Sequence, residues 1–570
     1  MAQRPFDFVI VGGGTAGCVL ANRLTADPRI RVLVLEAGRP DYWWDLPIQL
    51  PIAMGMPVGD EHHDWLYESE PEPGLQSRRL HHPRGKGLGG SSSINGMIYQ
   101  RGNRVDFDRW ATECGTPEWD YAHCLPYFRR LENCLGDKDD AYRGHGGPHT
   151  LSRGPADGPI FAAFLAAAEQ AGHAVLPDLN GADQEGFAPL DQGVRGGRRE
   201  SAARAYLHPA RRRRNLEVRS RVMVTRIHVD GGRAVGVRYR QGNGAESVVT
   251  AREIILCAGA IGTPQLLQVS GIGRADQLSR LGVPVVHDLP GVGETLQDHL
   301  AVHLQHLCRE PVSMAAVRRK VNWPGIVAEA LLLGSGPGSR NPMQAGGFVR
   351  STPDQSHPDL MFLLAPLAMH SSERSIPIGQ HGYQMHVGVM RSSARGSVRI
   401  TSPDPSQHPA IQLNFLTGPE DRQRWVDAVR IGRELLAQPA MERLNGGESL
   451  PGPEVRSDDE VIDWVARTAR VGLHLACSAR MGTDEGAVVD PATLRVRGLD
   501  GLRVVDAAIM PSLTNANTYG PVLMLAEKAA DMILGNTPLA AEDPATAPTR
   551  VAVGGPDTVA DPAEAESVTA

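Results

Sequence analysis

Between Phe8 and Glu36 the chain sets out an ordered series of features that few folds accommodate. Phe8-Val9-Ile10-Val11 is a short apolar run of the kind that forms a buried strand, and Gly12-Gly13-Gly14-Thr15-Ala16-Gly17 follows at once. A helical pattern then runs through Leu20, Ala21 and Leu24. A second apolar run, Val32-Leu33-Val34-Leu35, ends on Glu36, nineteen residues past Gly17. Each part has a task in holding a dinucleotide: Gly12 permits the tight turn, Gly14 lets the backbone approach a pyrophosphate, and Gly17 lets the helix pack closely on the sheet. The helix N-terminus offers unpaired N–H groups and a partial positive charge to the phosphates. Glu36, closing the second strand, is placed to accept hydrogen bonds from a ribose. Strand, glycines, helix, strand and acid in this order carry the reading, because glycines alone would also suit a structural turn. Taken by itself the fingerprint also permits a nicotinamide-linked dehydrogenase.

At 570 residues the chain exceeds one simple core, which predicts two domains. The strand–helix–strand opening predicts a Rossmann-like α/β domain with a largely parallel sheet. Further strands are expected at Leu216-Glu217-Val218, Val222-Met223-Val224, Val235 to Tyr239 and Glu253 to Leu256. The middle third differs. Short β-like runs such as Met385 to Val389 and Gly396 to Ile400, with helical periodicity from Asp421 to Leu436, predict an inserted α+β domain built on an antiparallel sheet. Strand pattern returns at Leu502 to Asp506, followed by a helix to Leu534. The expected division is residues 1–158, 196–307 and 466–536 for the dinucleotide domain, and 159–195 with 308–465 for a substrate domain. In the tail 537–570, Ala, Pro, Asp, Thr and Glu dominate, too little apolar surface to offset the entropy of ordering, so disorder is expected there.

A formal net charge of −7 gives no support for nucleic-acid binding. The one basic run, Arg211 to Arg214, reads as a solvated turn. Seven cysteines are dispersed; Cys114, Cys124 and Cys134 stand ten apart, which fits neither a zinc site nor a redox CxxC pair. Reduced thiols and a cytoplasmic location are therefore expected, with no metal. No apolar run reaches the length of a membrane span, and the first strand begins too early for a signal peptide. Peripheral membrane contact and oligomerisation stay open.

Arg84-Gly85-Lys86-Gly87-Leu88-Gly89-Gly90-Ser91-Ser92-Ser93-Ile94-Asn95 is dense in glycine and hydroxyls, so its backbone N–H groups can approach a flat ligand closely. Leu88, Ile94 and the following Met97-Ile98-Tyr99 distinguish it from a flexible linker. Together with the opening fingerprint, this loop resembles the glucose–methanol–choline (GMC) oxidoreductases, flavoproteins that oxidise alcohols. Gly259-Ala260-Ile261-Gly262-Thr263-Pro264 through Gly273 is similar to the family's second signature. Leu289-Pro290-Gly291-Val292-Gly293-Glu294-Thr295-Leu296-Gln297-Asp298-His299 is similar to its LPGVGxNLQDH segment, with Thr295 in place of Asn. Gly501 to Leu534 resembles the closing strand and helix. Within the family, Trp65 to Pro73 and Ile94-Asn95-Gly96-Met97 look most like choline dehydrogenase-type members.

The resemblance implies FAD. Gly12, Gly14, Thr15, Ala16, Gly17, Glu36 and Ala37 would hold pyrophosphate and ribose, and Val224 would contact adenine. Gly90, Ser91 and Asn95 would line the flavin, approached from the closing segment by Asp506, Ala507 and Pro521. Some members attach flavin through a histidine just before the loop Asn; Ile94 stands there, so non-covalent FAD is expected. Gly472 to Gly482 resembles the HxxGTxxMG active-site segment, with Cys477-Ser478 for Gly-Thr, which makes His474 the general base. Aligning Asn517-Thr518-Tyr519-Gly520-Pro521 with NTNAP places Tyr519 at the position that normally faces this base, with Asn517 as the substitute. The implied reaction converts an alcohol, choline-like or another primary alcohol, to an aldehyde, electrons passing to a quinone, another carrier or O2. A choline-like substrate calls for aromatics or a carboxylate around its ammonium group, Trp43, Trp44 and Trp65 being candidates. The alternatives are an O2-using oxidase and a hydroxynitrile lyase, which binds FAD without using its redox chemistry.

Overall fold

A computed structural model describes residues 5–136, 141–242, 244–369 and 375–544. The apolar runs of the opening form adjacent parallel strands, Phe6–Val11 beside Val32–Glu36. The parallel order is Leu216–Ser220, Val32–Glu36, Phe6–Val11, Ser247–Leu256 and Leu502–Val504. Val9, Ile10 and Val32 to Leu35 have almost no exposed surface, as expected where helices cover both faces of a parallel sheet. Ser247–Leu256 also pairs antiparallel with Arg233–Gln241, and that strand with Val222–Asp230, so the sheet is mixed at one end. Helix Thr15–Leu24 packs against the closing helix Tyr519–Leu534.

The second sheet is antiparallel, in the order Ala345–Val349, Leu360–Ala365, Gly382–Val389, Leu300–Cys308 and Asn445–Leu450. Its residues alternate between two environments, as the pleat requires. Leu304, Met385 and Phe362 face helix Pro419–Ala437, so close that a Cβ on Gly432 would lie 2.7 Å from Leu304. Ala301, His303, His386, Gly388, Met361 and Leu363 face the other way and line a cavity.

Two expected boundaries shift. Leu300–Cys308, placed in the dinucleotide domain up to 307, is a central strand of the second sheet, and Arg470–Val471 pairs with its start. The reason is hydrogen-bond demand: this alternating strand finds partners on both sides only in the antiparallel sheet. The start of the supposedly disordered tail is also anchored. The Leu539 amide donates to the Tyr127 hydroxyl at 3.2 Å, the Glu542 amide donates to the Ala122 carbonyl at 2.9 Å, and Glu542 pairs with Arg129. Composition hid these local polar contacts; residues 545–570 lie outside the described part. No helix among the described residues is long and apolar enough to cross a membrane.

Candidate active site

At the carboxyl ends of the parallel strands, the glycine turn and the glycine–serine loop meet backbone to backbone. Gly12 has φ +103°, and a Cβ there would lie 2.5 Å from the Cys257 carbonyl oxygen. A Cβ on Gly90, at φ +55°, would stand 2.8 Å from Gly14 Cα. The Gly89 amide donates to the Gly13 carbonyl at 2.8 Å, which locks the two segments together. The cradle is therefore almost pure main chain, suited to an anionic group and a flat ring. Glu36 accepts from the Gly13 amide at 2.8 Å and the Gly38 amide at 2.7 Å. Burial nevertheless pushes its carboxyl up to about 7, which ribose hydroxyls donating to it would reverse.

One cavity of about 540 Å3 runs from this cradle past His474. Of the expected cofactor residues, Gly12, Gly14, Thr15, Ala16, Glu36, Ala37, Gly90, Ser91, Asn95, Val224, Asp506 and Ala507 all line it. Gly17 and Pro521 do not. A Cβ on Gly17 would lie 2.0 Å from the Gly12 carbonyl oxygen, so this glycine serves the packing of the helix. Pro521 is buried within the first turn of the closing helix, and Val522 lines the cavity. Asp506 accepts from Thr263 Oγ1 at 2.6 Å, the Gly259 amide at 2.8 Å and the Ala508 amide at 2.8 Å, which secures the turns on either side of the cavity.

His474 is 8% exposed and directly follows Leu473, which takes a left-handed φ of +67°. Asn517 likewise follows a left-handed residue, Ala516 at +76°. Such backbone is costly for residues with a Cβ and persists where surrounding contacts enforce it. Here the result is that Asn517 Nδ2 lies 2.9 Å from His474 Nε2. Tyr519, assigned to this position by the motif alignment, is not there. It already belongs to the first turn of helix Tyr519–Leu534, where it lines the same cavity, its hydroxyl engaging the Glu200 carbonyl at 3.5 Å and the Ser92 side chain and its ring packing edge-on against His149. The turn at Ala516 shifts the facing position two residues earlier.

A residue to which no role was given completes the arrangement. His299 Nδ1 lies 2.9 Å from His474 Nδ1, and His299 Nε2 lies 3.2 Å from the Met390 carbonyl. A carbonyl can only accept, so His299 carries its proton on Nε2 and presents a lone pair at Nδ1. His474 must then donate from Nδ1, which leaves the Nε2 lone pair on the cavity side, where it accepts from Asn517 Nδ2. Burial first, then His299 and Arg84, hold the His474 imidazole well below its ordinary range, and burial pushes His299 down to about 4, so both rings are neutral. Asp298 fixes the backbone of this pair, accepting from the His474 amide at 2.6 Å and the His299 amide at 2.8 Å. His299 was visible as the end of the LPGVG segment, but nothing in its spacing linked it to His474, 175 residues away.

The departures from the motifs compensate one another. Thr295 Oγ1 donates to the Cys477 carbonyl at 2.9 Å, and Ser478 Oγ donates to the Ala260 carbonyl at 2.6 Å. Trp65 lines the cavity with Lys86 Nζ 5.2 Å from its ring centroid, whereas Trp43 and Trp44 are mostly exposed.

The family models for the two parts of GMC oxidoreductases match residues 6–301 and 392–526. The chain belongs to the GMC oxidoreductase family. It is 51% identical over 541 residues to an oxygen-dependent choline dehydrogenase of Staphylococcus saprophyticus, covering 94% of this chain and 96% of that protein. The Staphylococcus aureus protein of the same name is equally similar, at 51% over 94% of this chain and 95% of its own. Among solved structures, pyridoxine 4-oxidase from Mesorbium loti superposes with a TM-score of 0.84 at 32% identity, covering 93% of this chain and all of that one. A formate oxidase superposes at 0.87 with 26% identity, covering 93% and 98%. As a GMC oxidoreductase the chain is an FAD flavoenzyme acting on CH–OH donors, and the main-chain cradle with its buried acid fits that cofactor.

Proposed function

We propose that this GMC oxidoreductase converts a primary alcohol to an aldehyde, with His474 Nε2 as the base and Asn517 as the group that holds the alcohol oxygen. The observation that carries the reading is the proton order Met390 carbonyl–His299–His474, which leaves one lone pair aimed at the cavity. An alcohol in the cavity takes the place of Asn517 Nδ2 at that lone pair, donating its hydroxyl proton to Nε2 while Nδ2 turns to donate to the alcohol oxygen, so negative charge developing there is met by an amide dipole. Proton removal by a placed base is worth about 10²–10⁴ in rate. The cradle of Gly12, Gly14, Gly90 and Glu36 would hold FAD, which would supply the hydride-accepting chemistry, with O2, as the relatives' names suggest, a quinone or another carrier as the final electron acceptor. Ile94, which has no nucleophilic atom, supports a non-covalent cofactor, one that acid precipitation should release into the supernatant.

Anaerobic addition of a primary alcohol should bleach the flavin, and His474→Ala should slow that bleaching by about 10²–10⁴. Cleavage of a cyanohydrin with the flavin still oxidised would instead assign the site to the lyase reaction. Choline, the alcohol in the relatives' names, is the reference substrate.

A further inference from the structure

The reaction chamber does not end at His474. A second cavity of about 710 Å3 adjoins it, and the two share Met54, Gly55, His303, Met343, His386 and Arg470 as lining. One face of the antiparallel sheet floors both. Its register sets up three rows: Ala301, Gly388 and Met361; then His303, His386 and Leu363; then Gln305, Gln384 and Ala365. The first row lies in the reaction chamber, both histidines of the second border both cavities, and Gln384 and Ala365 of the third border the far one. At two residues per row the floor runs about 13 Å beyond its first row. The rings of His303 and His386 lie tilted against each other with centroids 4.1 Å apart where the two cavities adjoin, and burial holds both imidazoles neutral, so an apolar chain can pass without stripping water from a charge.

The walls have the wrong chemistry for a cation. Among the described residues no Asp or Glu lines the far cavity, whose charged members are Arg78, Arg467 and Arg470. The acids of the near chamber, Glu36 and Asp506, already accept from backbone amides, and Trp65 already faces Lys86. A quaternary ammonium would sit near Arg470 with no counter-charge, which is unfavourable away from water. The outer wall is helix Trp323–Leu333, contributing Trp323, Ile326 and Val327 inside while Leu332 and Leu333 are exposed outside.

We propose that the substrates are long-chain aliphatic primary alcohols, the hydroxyl end at His474 and the alkyl tail passing between Met54, Met343 and the His303–His386 pair into the second cavity. The assignment rests on the alcohol-oxidation reading and adds the substrate class to it. Each methylene moved from water into this cavity should raise the apparent second-order rate constant about three- to fourfold until the floor is filled.

The test is anaerobic flavin bleaching in the holoenzyme with 1-butanol, 1-hexanol, 1-octanol, 1-decanol and choline. The expected result is a rate constant that climbs steeply with chain length and exceeds that of choline. Ala365→Phe, which fills the far cavity, should lower the decanol-to-butanol ratio at least about tenfold, the loss of two or more buried methylenes. Val327→Gln alters the same cavity from a half-exposed helix, leaves the sheet intact, and should move the ratio the same way. A flat chain-length profile, a preference for choline, or an Ala365→Phe ratio equal to wild type would overturn the substrate class while leaving alcohol oxidation standing. So would variants that change only reoxidation by decylubiquinone, because the far cavity would then hold the acceptor. No bleaching by any alcohol would overturn both readings.

Discussion

Replacing His299 by Phe tests the proton order on which the chemistry depends. In the wild type, His474 donates from Nδ1 to His299 at 2.9 Å, which holds the base lone pair on Nε2. Phenylalanine fills the space but cannot accept. The His474 Nδ1–H is then a buried donor without a partner, a state that costs about 1–3 kcal/mol, and the competing Nε2–H tautomer gains by that amount. At about 1.4 kcal/mol per factor of ten, the rate of flavin reduction should fall roughly 5- to 150-fold. The loss should not exceed the roughly 10²–10⁴ of His474→Ala, which removes the base itself. The pH profile supplies a second readout. His474 must be neutral to act, and its imidazole lies well below its ordinary range through burial, His299 and Arg84. Activity should therefore stay level as pH falls through about 6.5, the ordinary histidine value. Without His299 one cause of the lowering is gone, so the acid limb moves to higher pH. His299→Gln, whose Oε1 can accept from Nδ1, should recover part of the rate. The assay is anaerobic stopped-flow flavin reduction across pH. A His299→Phe rate within threefold of wild type, with an unmoved acid limb, would refute the relay.

Three further outcomes follow from the site and its cradle. Asn517→Ala removes the donor 2.9 Å from His474 Nε2 and should lower flavin reduction about tenfold or more, as for loss of a hydrogen bond to a charge-developing oxygen. Tyr519→Phe should change it less than about threefold, since its hydroxyl engages Glu200 and Ser92 rather than His474; the reverse order would restore Tyr519 to the facing position. Gly17→Ala should yield protein that retains no FAD after gel filtration, because the new Cβ would sit 2.0 Å from the Gly12 carbonyl; a yellow, stable variant would show that the helix can move away.

Much of the dinucleotide end was legible in the chain because its physics is local. Gly12, Gly14 and Glu36 act through turn, close approach and strand end within 25 residues, and all reach the cavity as expected. Gly17, expected among the residues that hold pyrophosphate and ribose, packs the helix against the Gly12 turn instead of lining the cavity. The substrate end is different. Asn517 and Tyr519 are two residues apart and both polar, and only the left-handed turn at Ala516 decides which of them meets His474.

By itself, the order of strand, glycines, helix and acid determined a dinucleotide fold, and the motif at His474 marked the residue proposed as the base. Tertiary structure alone decided that His299 sets the proton on that base and that Asn517 faces it. It also decided that alternate residues of three separate strands floor two adjoining cavities. The physical reason is range: backbone conformation and periodicity are written in neighbouring residues, whereas a tautomer, a facing donor and a cavity wall are set by groups that meet only when distant strands pair.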